Sequence, residues 1–339
     1  MKIKAADIAR ELQISKATVS LALNNKPGVS EQTRQEILDC KKLLESRNIE
    51  KTASAIQEKQ IIKVIFMHRD LKVAYGSEMD LWTNVLRVYD KESKKLGYSL
   101  GVTYVNLLKD PVEQIVNECN MNSVAGVILC ATEMQEKDYE LVKNINKPMI
   151  ITDNDFEDNS HHRVCIDNIS AVKQAVDYLL KRNLKNIVYL ANEIDIYNFM
   201  QRRNGFKQAI WNSGLEFRPD MIVRMGRMIE NANEKMKLYL RENPLPDAFI
   251  MENYQVSAGV MKAMKAEGIL VPEHISLIGV DEVPSYAVED YKLTTIKIDH
   301  VNRPVMAMTL LYKEIKENMQ TKFKVLSDCT LLEGGSVRG

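Results

Sequence analysis

The sequence predicts two kinds of structure in one chain. An all-α helix-turn-helix head comes first, followed by an α/β core of two doubly wound, parallel-sheet lobes. Three observations carry this. Residues 5–24 hold two short amphipathic stretches joined by a three-residue turn. From residue 61 onward there are ten short apolar runs, and amphipathic helical stretches lie between most of them. Alternating β and α with apolar strands is the pattern of parallel sheets covered on both faces. Ten strands exceed one compact sheet, so two lobes with a cleft between them are expected.

In the head, Ile8, Ala9 and Leu12 form one stripe of the first helix, and Val19, Ala22 and Leu23 one stripe of the second. Ile14 plugs the turn. Ser15 stands at an N-cap position, so Lys16, Ala17 and Thr18 open the second helix. In a helix-turn-helix that leading edge enters the major groove and reaches base edges; the plainer alternative is a structural helical hairpin. Pro27 and Gly28 make a turn, Ser30 can cap a third helix, and Ile37, Leu38 and Leu44 face inward from it. Residues 1–46 are therefore assigned to the head.

Residues 47–60 are polar and free of Gly and Pro, and read as a hinge linker with helix-forming potential around 51–57. Strands are predicted at 61–67, 98–104, 125–130, 148–152, 163–167, 186–191, 221–225, 248–252, 275–280 and 294–299. Helices are predicted at 80–96, 111–121, 136–144, 169–182, 199–213, 230–242, 255–267 and 301–318. The core spans 61–339.

Charge and cysteine content narrow the class. Lys plus Arg and Asp plus Glu both number 46, so bulk charge announces no nucleic acid. Residues 1–60 nevertheless hold 11 Lys/Arg against 8 Asp/Glu, with Lys2, Lys4, Arg10, Lys16 and Lys26 near the groove-facing side. The five cysteines are widely spaced with no C-x-x-C pair, and the amino end has no apolar signal region. Nowhere do 18 apolar residues run together. A cytoplasmic protein with no membrane association is expected.

The words Asp7-Ile8-Ala9, Ile14-Ser15, Ala17-Thr18-Val19-Ser20, Leu23-Asn24 and Val29-Ser30-Glu31-Gln32-Thr33-Arg34, in this order near the amino end, resemble the lactose/galactose repressor (LacI/GalR) family of bacterial transcription regulators. The resemblance continues through the core. Val164-Cys165-Ile166-Asp167-Asn168 is similar to the family's V-x-x-D-N, and Arg202–Ile210 to R-x-x-G-F-x-x-A-L. Residues 246–253, then Ala258-Gly259, are similar to P-D-A-I-F-x-x-N-D-x-x-A-x-G. Residues 271–282 are similar to V-P-x-D-V-S-V-V-G-F-D-D. This implies a core resembling a periplasmic binding protein, with each lobe discontinuous in sequence: lobe 1 from about 61–162 plus 298–325, lobe 2 from about 163–297 plus 326–339.

By that resemblance Lys16 and Ala17 read bases, Lys16 through guanine O6/N7 and Ala17 through apolar contact such as a thymine methyl. Thr18 and Ser20 reach phosphates or bases, and Asn24, Ser30 and Thr33 reach phosphates, which orient without specifying. Leu21 stands where many relatives carry Arg, and either packs on the hinge or meets a base methyl. Lys4 replaces the usual Thr-type cap, a loss of ~1 kcal/mol. In the hinge, Ala53 and Ile56 match the small residue and the wedge that enters the minor groove; the alternative is a solvated linker.

The family places its effector between the lobes, at the carboxyl ends of strands. Arg202, Asn253 and Asp281 match ligand-contacting positions and Asp153 lies near another, while Trp82 or Tyr197 could stack on a ring face. That chemistry suits a polyhydroxylated or anionic ligand, a sugar or sugar phosphate. Caps are the alternative roles for Asn253 and Asp281. Tyr254 replaces an aspartate, and the loop at 68–79 is long and charged. Both departures count against an ordinary pyranose, and aromatic crowding by Tyr254 favours a planar ligand or an empty cleft regulated by a protein partner.

Other chemistry finds little support. His161-His162 is a vicinal pair without metal-ligand spacing, the acidic run 153–158 lacks the calcium-loop pattern, and no phosphate-cradling or nucleophile-elbow motif occurs. No metal, no cofactor and no catalysis are expected. The expected function is a repressor acting as a homodimer on pseudo-palindromic double-stranded operator DNA, its affinity tuned by the cleft ligand. The rivals are a stand-alone ligand-binding protein and a sugar-metabolising enzyme using Asp153 and Asp281.

Overall fold

The computed structural model describes residues 4–55, 60–69, 79–283 and 291–339, with the backbone alone described at 45–55 and 79–82. It divides into two compact units, Met1–Lys59 and Gln60–Gly339.

The first unit contains α1 (Ala5–Glu11), α2 (Lys16–Leu23) and α3 (Glu31–Ala55). Ile8, Ala9, Val19, Ala22, Ile37 and Cys40 form its buried centre, with Leu12, Ile14, Leu23, Val29 and Leu44 packed around them. Cys40 fills the inward place expected for Leu38, because 37, 40 and 44 share one face of a helix. Gln13 turns the chain between α1 and α2 with a left-handed φ of 55°. Lys4 cannot accept a capping bond, yet its N–H donates to the Asp7 carboxylate at 3.0 Å, so one half of a capping box survives. The stretch read as a linker from residue 47 continues α3 without a break to Ala55. Nothing in it ends a helix, since Gly and Pro are absent.

The second unit begins with β1 (Ile61–His68), α4 (Met79–Lys95), β2 (Ser99–Asn106), α5 (Val112–Cys119), β3 (Val124–Cys130), β4 (Met149–Thr152) and β5 (His162–Ile166). The helix expected at 136–144 is a single 3-10 segment, Glu136–Leu141. Next come α6 (Asn168–Leu180), β6 (Ile187–Ala191), α7 (Tyr197–Asn212), β7 (Ile222–Arg224), α8 (Ile229–Glu242), β8 (Ala248–Met251), α9 (Tyr254–Ala266) and β9 (Ser276–Val280). The unit closes with β10 (Thr294–Lys297), α10 (Asn302–Glu317), β11 (Lys324–Ser327) and β12 (Thr330–Leu332).

The strands form two six-stranded sheets, in the orders β11-β5-β4-β3-β1-β2 and β12-β10-β9-β8-β6-β7. Among the described residues all strand pairings are parallel except β10 with β12. Alternation along each strand divides the core between the faces. Ile65 and Met67 of β1 join one cluster, whereas Ile62, Val64 and Phe66 join another with α10 residues Ala307, Met308 and Leu311. In β6, Ile187, Tyr189 and Ala191 pack towards α6 and α7, and Val188 and Leu190 towards α8 and α9.

The lobe boundary differs from the expected one at residue 163. β5 pairs with β4 and β11 inside the first sheet, so the first crossing falls at Asp167, which caps α6 by accepting the Ser170 N–H at 3.0 Å. The chain returns between β10 and α10 and crosses a third time between β11 and β12, which moves the last boundary from 325 to beyond Ser327. Among the described residues, no helix is long and apolar enough to cross a membrane.

Candidate nucleic-acid interface and ligand cleft

In the head, Ser15 caps α2 by accepting the Thr18 N–H at 3.1 Å, and its hydroxyl lies 2.8 Å from that of Thr18. This starts the helix at Lys16, leaving Lys16, Ala17 and Ser20 exposed while Val19 and Ala22 are buried beneath. Thr18 is half-buried at the edge of that face. Asn24 is exposed, and its side-chain amide donates back to the Ser20 carbonyl at 2.8 Å, closing the end of α2. Leu21 is half-buried, and a Cβ on Gly28 would meet its Cδ1 at 3.7 Å, so Leu21 lies against the turn that follows α2. Ser30 repeats the Ser15 arrangement for α3, accepting the Thr33 N–H at 3.1 Å, with the two hydroxyls 2.8 Å apart. Exposed Ser30 and half-buried Thr33 thus stand at a helix N-terminus, where backbone N–H groups favour an anion. Ala53 lies in the last turn of α3, and Ile56 falls outside the described residues.

The core holds a cavity of about 100 Å³ where the carboxyl ends of the two sheets face each other. Five of the seven effector-site residues expected from sequence concern this wall directly: Asp153, Arg202, Asn253, Tyr254 and Asp281 all line it. Tyr197 does not; it heads α7, half-buried, and burial pushes its hydroxyl pKa up, with Cys165 and Asp155 adding to the shift. Its neighbours Ile196, Asn198 and Phe199 line the cavity instead, because Asn198 and Arg202 are one helical turn apart. The side chain of Trp82 lies outside the described residues; Val85 and Tyr89 of the same helix reach the cavity.

The polar lining is extensively cross-paired. Arg303, in the first turn of α10, donates to the Asp153 carboxylate, which also accepts from Thr132 at 3.4 Å. Burial disfavours the Arg303 cation, but the Asp153 charge outweighs that and raises its pKa. His300 Nε2 lies 3.0 and 3.2 Å from the two Asp281 oxygens. Burial alone would raise the Asp281 pKa; the His300 and Arg202 charges prevail and hold it below the usual carboxylate range. Asp153 and Asp281 both adopt left-handed backbone conformations, with φ of 64° and 72°. Asn253 caps α9 through the Val256 N–H at 3.2 Å, the alternative role foreseen for it, while still facing the cavity. Arg202 donates to Asn168 at 2.9 Å and to the Glu252 carbonyl at 2.7 Å, which fixes its guanidinium across the cavity wall. Burial drives the pKa of the Cys130 thiol up to about 12, so it is a neutral wall group.

Sequence reasoning missed Tyr89, Asn198, His300 and Arg303. Asn198 could have been found from its helical spacing to Arg202. Arg303 meets Asp153 from 150 residues away, and no local pattern signals that.

Residues 4–42 match the family described as bacterial regulatory proteins, lacI family, and residues 176–337 match the periplasmic binding protein-like domain. The chain is 25% identical to the HTH-type transcriptional repressor PurR of Pasteurella multocida, over 93% of each chain. It is 26% identical to the HTH-type transcriptional regulator GalS of Salmonella typhimurium, over 92% of this chain and 88% of that one. Among solved structures, the Lac repressor dimer bound to operator and the anti-inducer ONPF superposes with a TM-score of 0.71 at 18% identity, over the full length of both chains. The chain thus carries a head that matches the lacI family of bacterial regulatory proteins and a core that matches the periplasmic binding protein-like domain, and it is similar to regulators of that build over nearly its whole length.

Proposed function

We propose that this protein is a sequence-specific transcriptional repressor that acts as a homodimer on a pseudo-palindromic operator, with a small molecule in the core cleft setting its affinity. The observation that carries this reading is the leading edge of α2. Lys16, Ala17 and Ser20 are exposed on a helix whose opposite face, Val19 and Ala22, is buried in a closed three-helix core. A helix held this way offers its first residues to the major groove. Lys16 and Ala17 are the base-reading residues, Thr18, Ser20 and Leu21 flank them, and Asn24, Ser30 and Thr33 hold phosphates. Ala53 and Ile56 contact the minor groove from the hinge.

The relatives support the output: PurR is a repressor and GalS a regulator by name, and the Lac repressor structure is of a dimer bound to operator. A second copy also suits the edge strand β2, where Val102 and Tyr104 are 40% and 50% exposed. Asp153, Arg202, Asn253, Tyr254 and Asp281 are the effector-facing residues. A ligand changes operator affinity only through unequal affinity for two lobe arrangements, a coupling of about 1–3 kcal/mol.

The test is selection of bound sequences from random duplexes, followed by titration at several salt concentrations. A preferred palindromic site whose affinity falls with salt, with a slope of about −0.9 per neutralised phosphate, supports the reading. Indifference to every duplex leaves a ligand-binding protein without an output.

A further inference from the structure

The cleft described above contains an anion-binding group that is already filled from within. Arg303 projects from the first turn of α10 with its side chain 11% exposed, and the carboxylate it holds belongs to Asp153, 10% exposed. The Arg303 Nε donates to the Asp299 carbonyl at 3.3 Å, so the guanidinium is tethered behind as well as in front. Asp153 follows β4 with a φ of 64°, a left-handed conformation uncommon for a residue with a side chain. It is this turn, at the carboxyl end of the strand, that carries its carboxylate to Arg303. On the other lobe Asp281, at φ 72°, engages His300 through both oxygens in the same manner.

We infer that Asp153 is a specificity-determining residue that excludes anionic effectors, so that the cleft selects an uncharged molecule. Its carboxylate occupies the place on Arg303 that a uronate carboxylate or a phosphate would need. Among the described lining residues the arginines Arg202 and Arg303 stand with the carboxylates Asp153 and Asp281, the first carboxylate taken by Arg303 and the second by His300. An anion entering at Arg303 would have to displace the Asp153 carboxylate and leave it buried without its arginine, the costliest outcome for a charge, while Arg202 is already engaged by Asn168 and the Glu252 carbonyl. An uncharged ligand does not need the Asp153–Arg303 pair to break and can lie against Val85, Val164, Ile166, Phe199 and Ile298. The inference narrows the sugar or sugar phosphate expected from sequence to a neutral compound, and it rests on the cleft being the effector site.

The experiment is calorimetric titration of the full chain with three anionic probes: glucuronate, galacturonate and inorganic phosphate. The wild type is expected to show no saturable binding in the millimolar range. Asp153→Asn, which frees Arg303, is expected to bind at least one probe about tenfold or more tightly than wild type, and Asp153→Asn combined with Arg303→Met is expected to lose that gain. Saturable anion binding by the wild type overturns the inference, as does a folded Asp153→Asn protein with no gain. If Asp153→Asn does not fold, the wild-type titration alone decides. Operator titrations on the same preparations keep the two readings apart, because loss of DNA binding counts against the repressor and not against anion exclusion.

Discussion

Arg34 donates from Nη1 to the carbonyl oxygen of Ala22 at 2.8 Å, and from Nη2 to that of Lys26 at 3.0 Å. One guanidinium from the first turn of α3 therefore holds the carboxyl end of α2 and the turn beyond it, where the helix dipole favours a cation. Arg34→Met should cost the head about 1.5–3 kcal/mol per lost charged hydrogen bond. Operator affinity should fall while the ranking of half-site sequences stays the same. Binding to a randomised half-site set checks this; a changed ranking would place Arg34 on a base.

Lys16 has a different role, being exposed at the start of α2. Lys16→Ala should relax preference at one half-site position by about 1–3 kcal/mol. Selection with the variant protein should show that position losing its base bias, and an unaltered bias removes Lys16 from the reading set.

Arg203 donates to both oxygens of the fully buried Glu252, at 2.8 and 2.7 Å, and that carboxylate also accepts the Asn192 N–H at 2.7 Å. Arg203→Ala leaves a buried charge without its partner and should destabilise the core by about 3–5 kcal/mol. Urea unfolding of the second unit is the measurement. A loss below about 1 kcal/mol, the level of an exposed ion pair, would mean water screens Glu252.

Acid should weaken the core. Burial opposes the charge on Asp281, Asp299 and Glu314, yet His300 for the first, the Val301 and Asn302 donors for the second, and Lys322 with His162 for the third lower all three pKa values. Carboxyls with lowered folded-state pKa stabilise fully above their ordinary values, about 4, and lose that contribution as pH falls through the depressed ones. Thermal unfolding between about pH 5 and pH 2 should show a falling midpoint, and Glu314→Gln should flatten the curve. An unchanged slope would detach Glu314 from acid stability.

On the β2 edge, Val102→Lys with Tyr104→Lys places two charges where apolar groups are exposed. If a second copy covers this edge, sedimentation should show monomers at concentrations where the wild type is dimeric, and operator affinity should drop. A dimer of unchanged strength moves the interface elsewhere.

Much of the fold was legible because its signals are short-range. The caps Ser15 and Ser30, the stripe of Ile8, Val19 and Ile37, and the apolar runs of β1, β3, β6 and β9 each act within a few residues. The strands that went unseen, β11 and β12, have four and three residues, too few to display a period, and β11 alternates exposed and half-buried side chains. The end of α3 was misread for a related reason: a polar stretch without a core-facing stripe resembles a linker even when nothing in it stops a helix.

What the sequence determined by itself was the kind of element at nearly every position and the identity of the exposed face of α2, since backbone propensity, capping and apolar period are local properties. Tertiary structure alone decided that β5 belongs to the first sheet, that the chain crosses between lobes three times, and that Asp153 meets Arg303 and Asp281 meets His300. Those partners are 150 and 19 residues apart. Their encounter depends on which strands pair and where each one ends, and the chemistry of the cleft follows from that encounter.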